Sequence, residues 1–482
     1  MSSKPHIVFC FSDQHNPDVM GWRGDPWVRT PHLDQLRAEG CAQEACYCAS
    51  PLCVPSRCSL LSTRLPQNTG LFINDQCLPS DKVTFAHELA NAGYRTVLAG
   101  RMHFKGPDMH HGFHERWVGD IGDPSFAGKG QAKGSRKYKI YGAGHASLEE
   151  SGPGFSRVME YDQAVLDGAC QRLEDYAAGD VTDPLFLTVG FYGPHNPYVC
   201  EPERYQYYYD TLPRTPLPAL PEDLHPTVRA ELERLKMTNP DPEAVHRSKA
   251  AYYGLVQTLD DHVGRLRERV AATLGDNVIF IYASDHGDLA GAHGTFWKTS
   301  FYEESVRVPM IWSGPGIPRG HTIDAPSSLL DFGVSLISQA EGNPMPETDG
   351  QNLWPAIQGH EEADPQRSIF SQYANRKPNQ RPAAMIRKGN YKLIYHDLED
   401  ARPQLFDLEQ DPKEQQDLGV SPSPEQARMI QDLTAELLAN WDPKQADQTA
   451  KAAAVHMRRL HAFDSQHPFW SYQGWKGSAD EH

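Results

Sequence analysis

No part of this 482-residue sequence stays apolar for long. The longest runs, LFLTVGF (185–191) and VIFIYA (278–283), fall far short of the ~20 residues that cross a bilayer. They predict buried strands and exclude a membrane span. The start, MSSKPHIVFCFSDQ, lacks the extended apolar core and small-residue cleavage site of a secretory signal. Basic residues are in deficit: 46 lysines and arginines face 63 aspartates and glutamates, a formal charge of −17. That balance argues against nucleic acid or an anionic membrane as partner. An anionic substrate would have to be held by positive groups gathered locally. Nine cysteines, an odd number, do not make a disulfide framework in a chain without an export signal, and they read as reduced thiols. Cys46, Cys48, Cys53 and Cys58 crowd one segment, yet no second cysteine pair with a histidine partner completes a zinc knuckle. Repeats, heptads and low-complexity tracts are also missing. The expectation is a soluble cytoplasmic protein.

What is present alternates. HIVFCFS (6–12) is a short, nearly continuous apolar run ending at Asp13, the pattern of a strand buried on both faces. TFAHELANAGYRTVLAG (84–100) reads as a helix, a stop at Gly93 and a second buried strand. The runs at 185–191 and 278–283 repeat the pattern, each followed by a polar cluster. Apolar residues at helical spacing fill 160–177 and 252–274. Strands alternating with helices predict an α/β fold on a largely parallel sheet, whose sites form beyond the carboxyl ends of the strands. Four runs end in candidate functional groups: Asp13, Arg101 with His103, His195, and Asp285 with His286. The Pro-rich stretch 213–226 reads as an insertion or long surface loop. Near residue 360 the character changes to short alternating strands joined by turns, which predicts a catalytic domain over 1–362 and an antiparallel C-terminal subdomain over 363–482. The last forty or so residues read as a helix and an aromatic tail, packed on its own subunit or on a neighbour. That leaves a homo-oligomer open.

In SPLCVPSRCSLLSTRLP (50–66), PSRCSLLS is a plausible helix start, with Pro55 near the first helical position, where its missing N–H does no harm. Cys53 is then expected just before the helix, under unpaired amides and the positive end of the dipole. Arg57, four residues on, faces the same way. Asp13 and Gln14 follow the first strand, and Asp285 and His286 follow VIFIYAS. Two acids, an amide and an imidazole make a divalent-metal donor set in which calcium would prefer all oxygen and His286 leaves manganese or another transition ion open. Arg101, His103, His195 and Lys298 together predict a ring of cations able to hold a tetrahedral oxyanion and protonate its leaving group. His110 and His111 read as structural.

These motifs carry a resemblance. CVPSR is similar to the Cys-x-Pro-Ser-Arg signature of the type I sulfatases of the alkaline phosphatase superfamily. SDQ, VRTPHLDQL, PHNPY, SDHGDLAGAHGTFWK and LFDLEQDPKEQQDL extend the likeness over essentially the whole chain. AGRMHFKGPDMHHGF with Gln14 and His286 looks closest to choline sulfatases, and is also similar to phosphonate monoester hydrolases. The resemblance implies an alkaline-phosphatase-like three-layer α/β domain with a large mixed, mostly parallel sheet, plus the small C-terminal antiparallel-sheet subdomain. It implies metal-dependent hydrolysis of a small anionic sulfate ester, choline-sulfate-like or aryl. It further implies that a formylglycine-generating enzyme oxidises Cys53 to formylglycine (3-oxoalanine). The hydrated aldehyde is a gem-diol, of which one hydroxyl attacks and the other later expels the ester. Asp13, Gln14, Asp285, His286 and the residue-53 side chain match ligands of one divalent ion, calcium or manganese. Arg57 matches the group that favours the ionised diol, and His103 the group that steadies it. His195 falls near the leaving group, Lys298 on the substrate's oxygens and Asn74 at a substrate-side position.

Two departures stand out. The family's usual lysine is Arg101 here, which keeps charge but replaces a compact ammonium by a planar fork. The usual Thr-Gly-Arg ending of the signature reads Ser62-Thr63-Arg64, which bears on recognition by the modifying enzyme. An unmodified Cys53 would be a metal-assisted thiolate without the second hydroxyl. That reading favours phosphodiesters or phosphonate monoesters as the alternative substrates. A quaternary ammonium substrate would need aromatic or acidic neighbours, for which Trp117, Phe126, Tyr138 and Trp312 are available.

Overall fold

The computed structural model of the chain describes residues 4–121, 144–179, 181–214, 217, 220–374, 381–399, 401–466 and 474–475. Eight strands form the main sheet: β1 (His6–Asp13), β2 (Cys41–Gln43), β3 (Arg95–Gly100), β4 (Glu115–Trp117), β5 (Leu185–Pro194), β6 (Val278–Ser284), β7 (Met310–Ser313) and β8 (His321–Ile323). Their order is β8-β2-β7-β6-β1-β5-β3-β4. The run β6-β1-β5-β3-β4 is parallel throughout, while β7 runs against both its neighbours. This is the mixed, mostly parallel sheet expected.

The period of two along β1 divides the molecule into layers. Ile7, Phe9 and Phe11 enter one core with Leu60, Leu61, Phe85, Phe332 and Leu336. These come from helices α2 (Cys53–Ser62), α3 (Phe85–Asn91) and α6 (Leu330–Gln339). Val8 and Cys10 enter the opposite core with Leu33, Tyr161, Val165, Leu259 and Val263, from α1 (Pro31–Ala38), α4 (Arg157–Ala178) and the 33-residue α5 (Pro242–Leu274). Helices therefore cover both faces, as a parallel sheet requires.

A second sheet, β9 (Ile369–Tyr373), β10 (Ala383–Lys388), β11 (Tyr391–His396) and β12 (Gln404–Asp407), is antiparallel in sequence order. It too alternates. Met385, Ile394 and Phe406 join the main core. Ala384, Ile386, Leu393 and Leu405 face Leu433, Leu437 and Trp441 from the end of the chain, where α7 (Pro424–Asn440) and α8 (Pro443–Gln466) lie. The C-terminal sheet is thus buried on both faces and shares one core with the large domain. Gly474–Trp475 pairs in parallel with Asp120–Ile121 of the same chain. The rest of the aromatic tail lies outside the described residues, as do parts of the Pro-rich loop. Among the described residues no helix is long and apolar enough to cross a membrane.

Register places the site. β1 and β6 pair from His6↔Val278 to Ser12↔Ser284, so Asp13 and Asp285 emerge side by side at the carboxyl edge. β3 and β5 end there as well, with Gly100↔Gly190. Gly190 is required: a Cβ on it would stand 1.9 Å from the Arg101 carbonyl oxygen.

Candidate active site

Helix α2 starts one residue earlier than the sequence reading placed it. Leu52 is extended (φ −150°, ψ 134°) and its carbonyl accepts the Ser56 N–H. Leu52 is therefore the cap, Cys53 the first helical residue and Pro55 the third, still among the positions whose N–H has no helical partner. Cys53 is buried, and all nine cysteines are free. Burial pushes the Cys41 and Cys58 thiols up to about 12, which marks them as inert packing.

The Cys53 sulfur sits at the junction of the predicted groups: 3.2 Å from His286 Nε2, 3.2 Å from Lys298 Nζ and 3.8 Å from Asp13 Oδ1. Ligand atoms of Asp13, Cys53, Asp285 and His286 all lie within 4.8 Å of one another, and all four residues are buried. His286 Nδ1 lies 3.0 Å from the Gly287 carbonyl, which assigns the proton to Nδ1 and leaves the Nε2 lone pair toward the sulfur. The Gln14 backbone N–H donates to Asp285, and its side-chain Oε1 accepts from Lys298 Nζ at 2.7 Å. Buried carboxylates, an amide oxygen and an imidazole nitrogen with its tautomer set are a donor set that fits a hard-to-borderline divalent ion.

Arg57 does not point its charge at residue 53. Nε donates to Asp285 Oδ2 at 2.8 Å and Nη2 to Asp13 Oδ2 at 3.2 Å. Nη1 and Nη2 also donate to the carbonyls of Arg101 and Ser12, and the guanidinium lies over the Phe11 ring. Arg57 therefore ties the two carboxylates together and acts through them. Arg101 uses the fork that a lysine lacks: Nε donates to Asp13 at 2.7 Å and Nη2 to His103 Nδ1 at 2.8 Å, over the Tyr192 ring. Burial alone would raise the Asp13 carboxyl, but Arg101 first, then Arg57 and Lys298, hold it well below the usual carboxylate range.

The expected ring of cations is smaller than predicted. Burial, then Arg101, pushes His103 down; burial, then Lys298, pushes His195 down. Both imidazoles are neutral, and Arg57, Arg101 and Lys298 carry the charge. With Nδ1 accepting from Arg101, His103 offers Nε2–H as a donor. His195 Nδ1 donates to the Asn196 carbonyl at 2.7 Å, and its ring also engages the Cys53 sulfur. Asn74 Oδ1 accepts the Val54 N–H at 3.0 Å and so caps the start of α2.

Three residues escaped the sequence reading. Buried Asp288 accepts from Gln14 Nε2, Tyr198 Oη and the Ala290 and Trp297 amides. Asp120 accepts the His103 and Phe104 amides and pairs with Arg116. Tyr192 supports Arg101 and meets His195 edge-on at 4.8 Å. SDHGD contained the signal for Asp288, three residues after Asp285. Trp312 is buried among Phe332 and Trp354, and Trp117 packs beside Arg172. Neither joins the site, and Phe126 and Tyr138 lie outside the described residues.

The family model described as Sulfatase matches residues 5–342, and one described as N-sulphoglucosamine sulphohydrolase, C-terminal, matches residues 291–442. The chain is similar to a choline-sulfatase of Rhizobium meliloti (strain 1021), 33% identical over 471 residues that cover 92% of this chain and 88% of that protein. It is similar to an arylsulfatase of Clostridium perfringens (strain 13 / Type A), 28% identical with 85% and 89% covered. A solved phosphonate monoester hydrolase of Agrobacterium radiobacter shares the fold, with a TM-score of 0.74, 19% identity, and 95% and 96% of the two chains covered.

Proposed function

The chain belongs to the sulfatase family, and from that premise we propose that it cleaves a small sulfate ester at residue 53 after conversion of Cys53 to formylglycine. The observation that carries the reading is the placement of one buried side chain against His286 Nε2, Lys298 Nζ and Asp13. Asp13, Gln14, Asp285, His286 and residue 53 would hold one calcium or manganese ion. When present, the ion supplies Lewis-acid stabilisation of negative oxygen, and the hydrated aldehyde supplies one hydroxyl to attack and another for release.

The remaining work falls to the chain's own groups. Lys298 Nζ, which already reaches both Gln14 and residue 53, binds a non-bridging sulfate oxygen. His103 directs its Nε2–H at the oxygen of residue 53, fixed in that tautomer by Arg101. His195, neutral and anchored through Nδ1, lies beside the leaving oxygen, which takes its proton from the Lys298 ammonium. Arg57 holds Asp13 and Asp285 at the spacing an ion needs. The likeness to the Rhizobium meliloti choline-sulfatase supports a small alkyl ester such as choline sulfate as substrate. A formylglycine-generating enzyme is then a required partner.

The test compares turnover of a sulfate monoester and a phosphodiester that share one leaving group. We expect a large preference for sulfate. Equal or faster phosphodiester turnover would overturn the reading in favour of a phosphodiester or phosphonate monoester hydrolase on the same scaffold.

A further inference from the structure

A cavity of about 1310 Å³ opens between the catalytic domain and the C-terminal subdomain. Asn16 and Asp18 line it from beyond β1, Leu289–His293 from beyond β6, and Pro412–Leu418 from beyond β12. Cys53, Asp13, His195 and Lys298 do not line it, so it is separate from the catalytic centre.

On its wall three side chains from distant parts of the chain converge. His293 Nε2 lies 3.3 Å from Glu304 Oε2, and the Glu414 carboxylate joins them, with all three ligand atoms within 4.8 Å of one another. Glu304 is 4% exposed and Glu414 3%. Among the described residues, neither Glu304 Oε2 nor His293 Nε2 makes a hydrogen bond, and Glu304 has His293 as its ion-pair partner. The imidazole plane is fixed by the Tyr302 ring, stacked at 3.7 Å and 5°. Glu414 is held by the Glu303 N–H on one oxygen and by Lys392 Nζ at 2.6 Å on the other. Lys392 also answers Glu303 at 2.8 Å, so it leaves Glu304 without a share of its charge.

We propose that His293, Glu304 and Glu414 form a second divalent-cation site, distinct from the catalytic one. A buried carboxylate oxygen with no donor is costly unless a cation or a proton meets it. An imidazole nitrogen beside two carboxylates suits zinc or manganese rather than calcium or magnesium. Further ligand positions face the cavity and are open to water. The three ligands tie the C-terminal subdomain to the segment that runs on from His293 to Lys298. The cation's role is therefore to clamp the two parts of the chain and to steady the loop that presents Lys298.

The experiment loads full-length protein with zinc or manganese, desalts it, and counts bound metal by plasma mass spectrometry. We expect two equivalents in the wild type. Glu304→Gln and His293→Asn should each lose one. Zinc-edge anomalous diffraction from wild-type crystals locates the ion independently of any variant, and of the nine free thiols. A peak bounded by His293, Glu304 and Glu414 is the expected result. A peak beside His286 with none at His293, or a single equivalent unchanged by Glu304→Gln, would overturn the proposal.

Discussion

Asp288 holds Gln14 by its amide nitrogen, so that the amide oxygen faces Lys298 and the predicted metal position. Four donors converge on this carboxylate. Asp288→Asn would place an N–H₂ among them and turn the Gln14 amide loose. Residues in such supporting positions are worth about 10–100-fold in metal affinity. A manganese or calcium titration of the variant should show a weakening of that order, with turnover restored at high metal. Unchanged affinity would mean that Gln14 is not a ligand.

Arg57→Lys keeps the charge but loses the fork that joins two carboxylates and two carbonyls. Displacing catalytic ligands by about 1 Å costs on the order of 10²-fold, so kcat should fall by about that factor. Arg57→Ala leaves two buried carboxylates facing each other and should unfold the protein or lower its stability by ~3–5 kcal/mol. Thermal melts and steady-state kinetics on both variants separate the two effects.

Chelation should silence turnover and lower the melting temperature together, because Asp13 and Asp285 then lose the divalent charge and are left with Arg57 and Arg101 as their main charged partners. Adding back calcium or manganese should restore both. Turnover that survives exhaustive chelation would rule out a metal-dependent reaction.

Acid should destabilise the fold through buried neutral histidines. His262, stacked on Phe191 and beside Arg265, Asp261 and Arg204, is pushed down to about 4, first by burial; His396 is lowered to about 3 by burial and then His225. Below pH 6.5 the unfolded chain takes up protons that the folded chain refuses. Stability is therefore full above 6.5 and falls as pH drops toward 4, by on the order of 3 kcal/mol for His262. Melting temperature measured against pH should show that slope, and His262→Phe should flatten it.

Thr63 occupies the left-handed position at the end of α2 (φ 56°, ψ 27°), with its hydroxyl buried and unpaired. A β-branched residue is strained there, which gives a physical reason for the glycine that the related signature carries. Thr63→Gly should raise the fraction of Cys53 converted when the protein is made with a formylglycine-generating enzyme. Peptide mass spectrometry on the two proteins compares the fractions.

The sheet and its functional edge were legible in the sequence because strands buried on both faces read as apolar runs, and each ended in its chemical group. Asp13, Asp285 and His286 needed only that rule. What was not legible was direction. Nothing in SRC says that Arg57 turns to the carboxylates instead of the nucleophile. No pattern says that burial leaves His103 and His195 neutral, since that depends on what packs around them in space. Asp288 and Asp120 act through backbone and amide donors from other segments, which a linear motif does not display. The start of α2 was misplaced by one residue because Pro55 suits any of the first helical positions, and the extended Leu52 decides among them. Trp312 looked available for a ligand, and its neighbours on the sheet bury it.

The proposed mechanism makes residue 53 the nucleophile, acting as formylglycine. The most direct test is peptide mass spectrometry across residues 50–66 of natively produced, fully active protein, with active sites counted in the same preparation. We expect a residue 53 whose CH₂–SH has become an aldehyde, in proportion to the active sites. Full sulfate-ester turnover from protein whose Cys53 is entirely an unmodified thiol would contradict it.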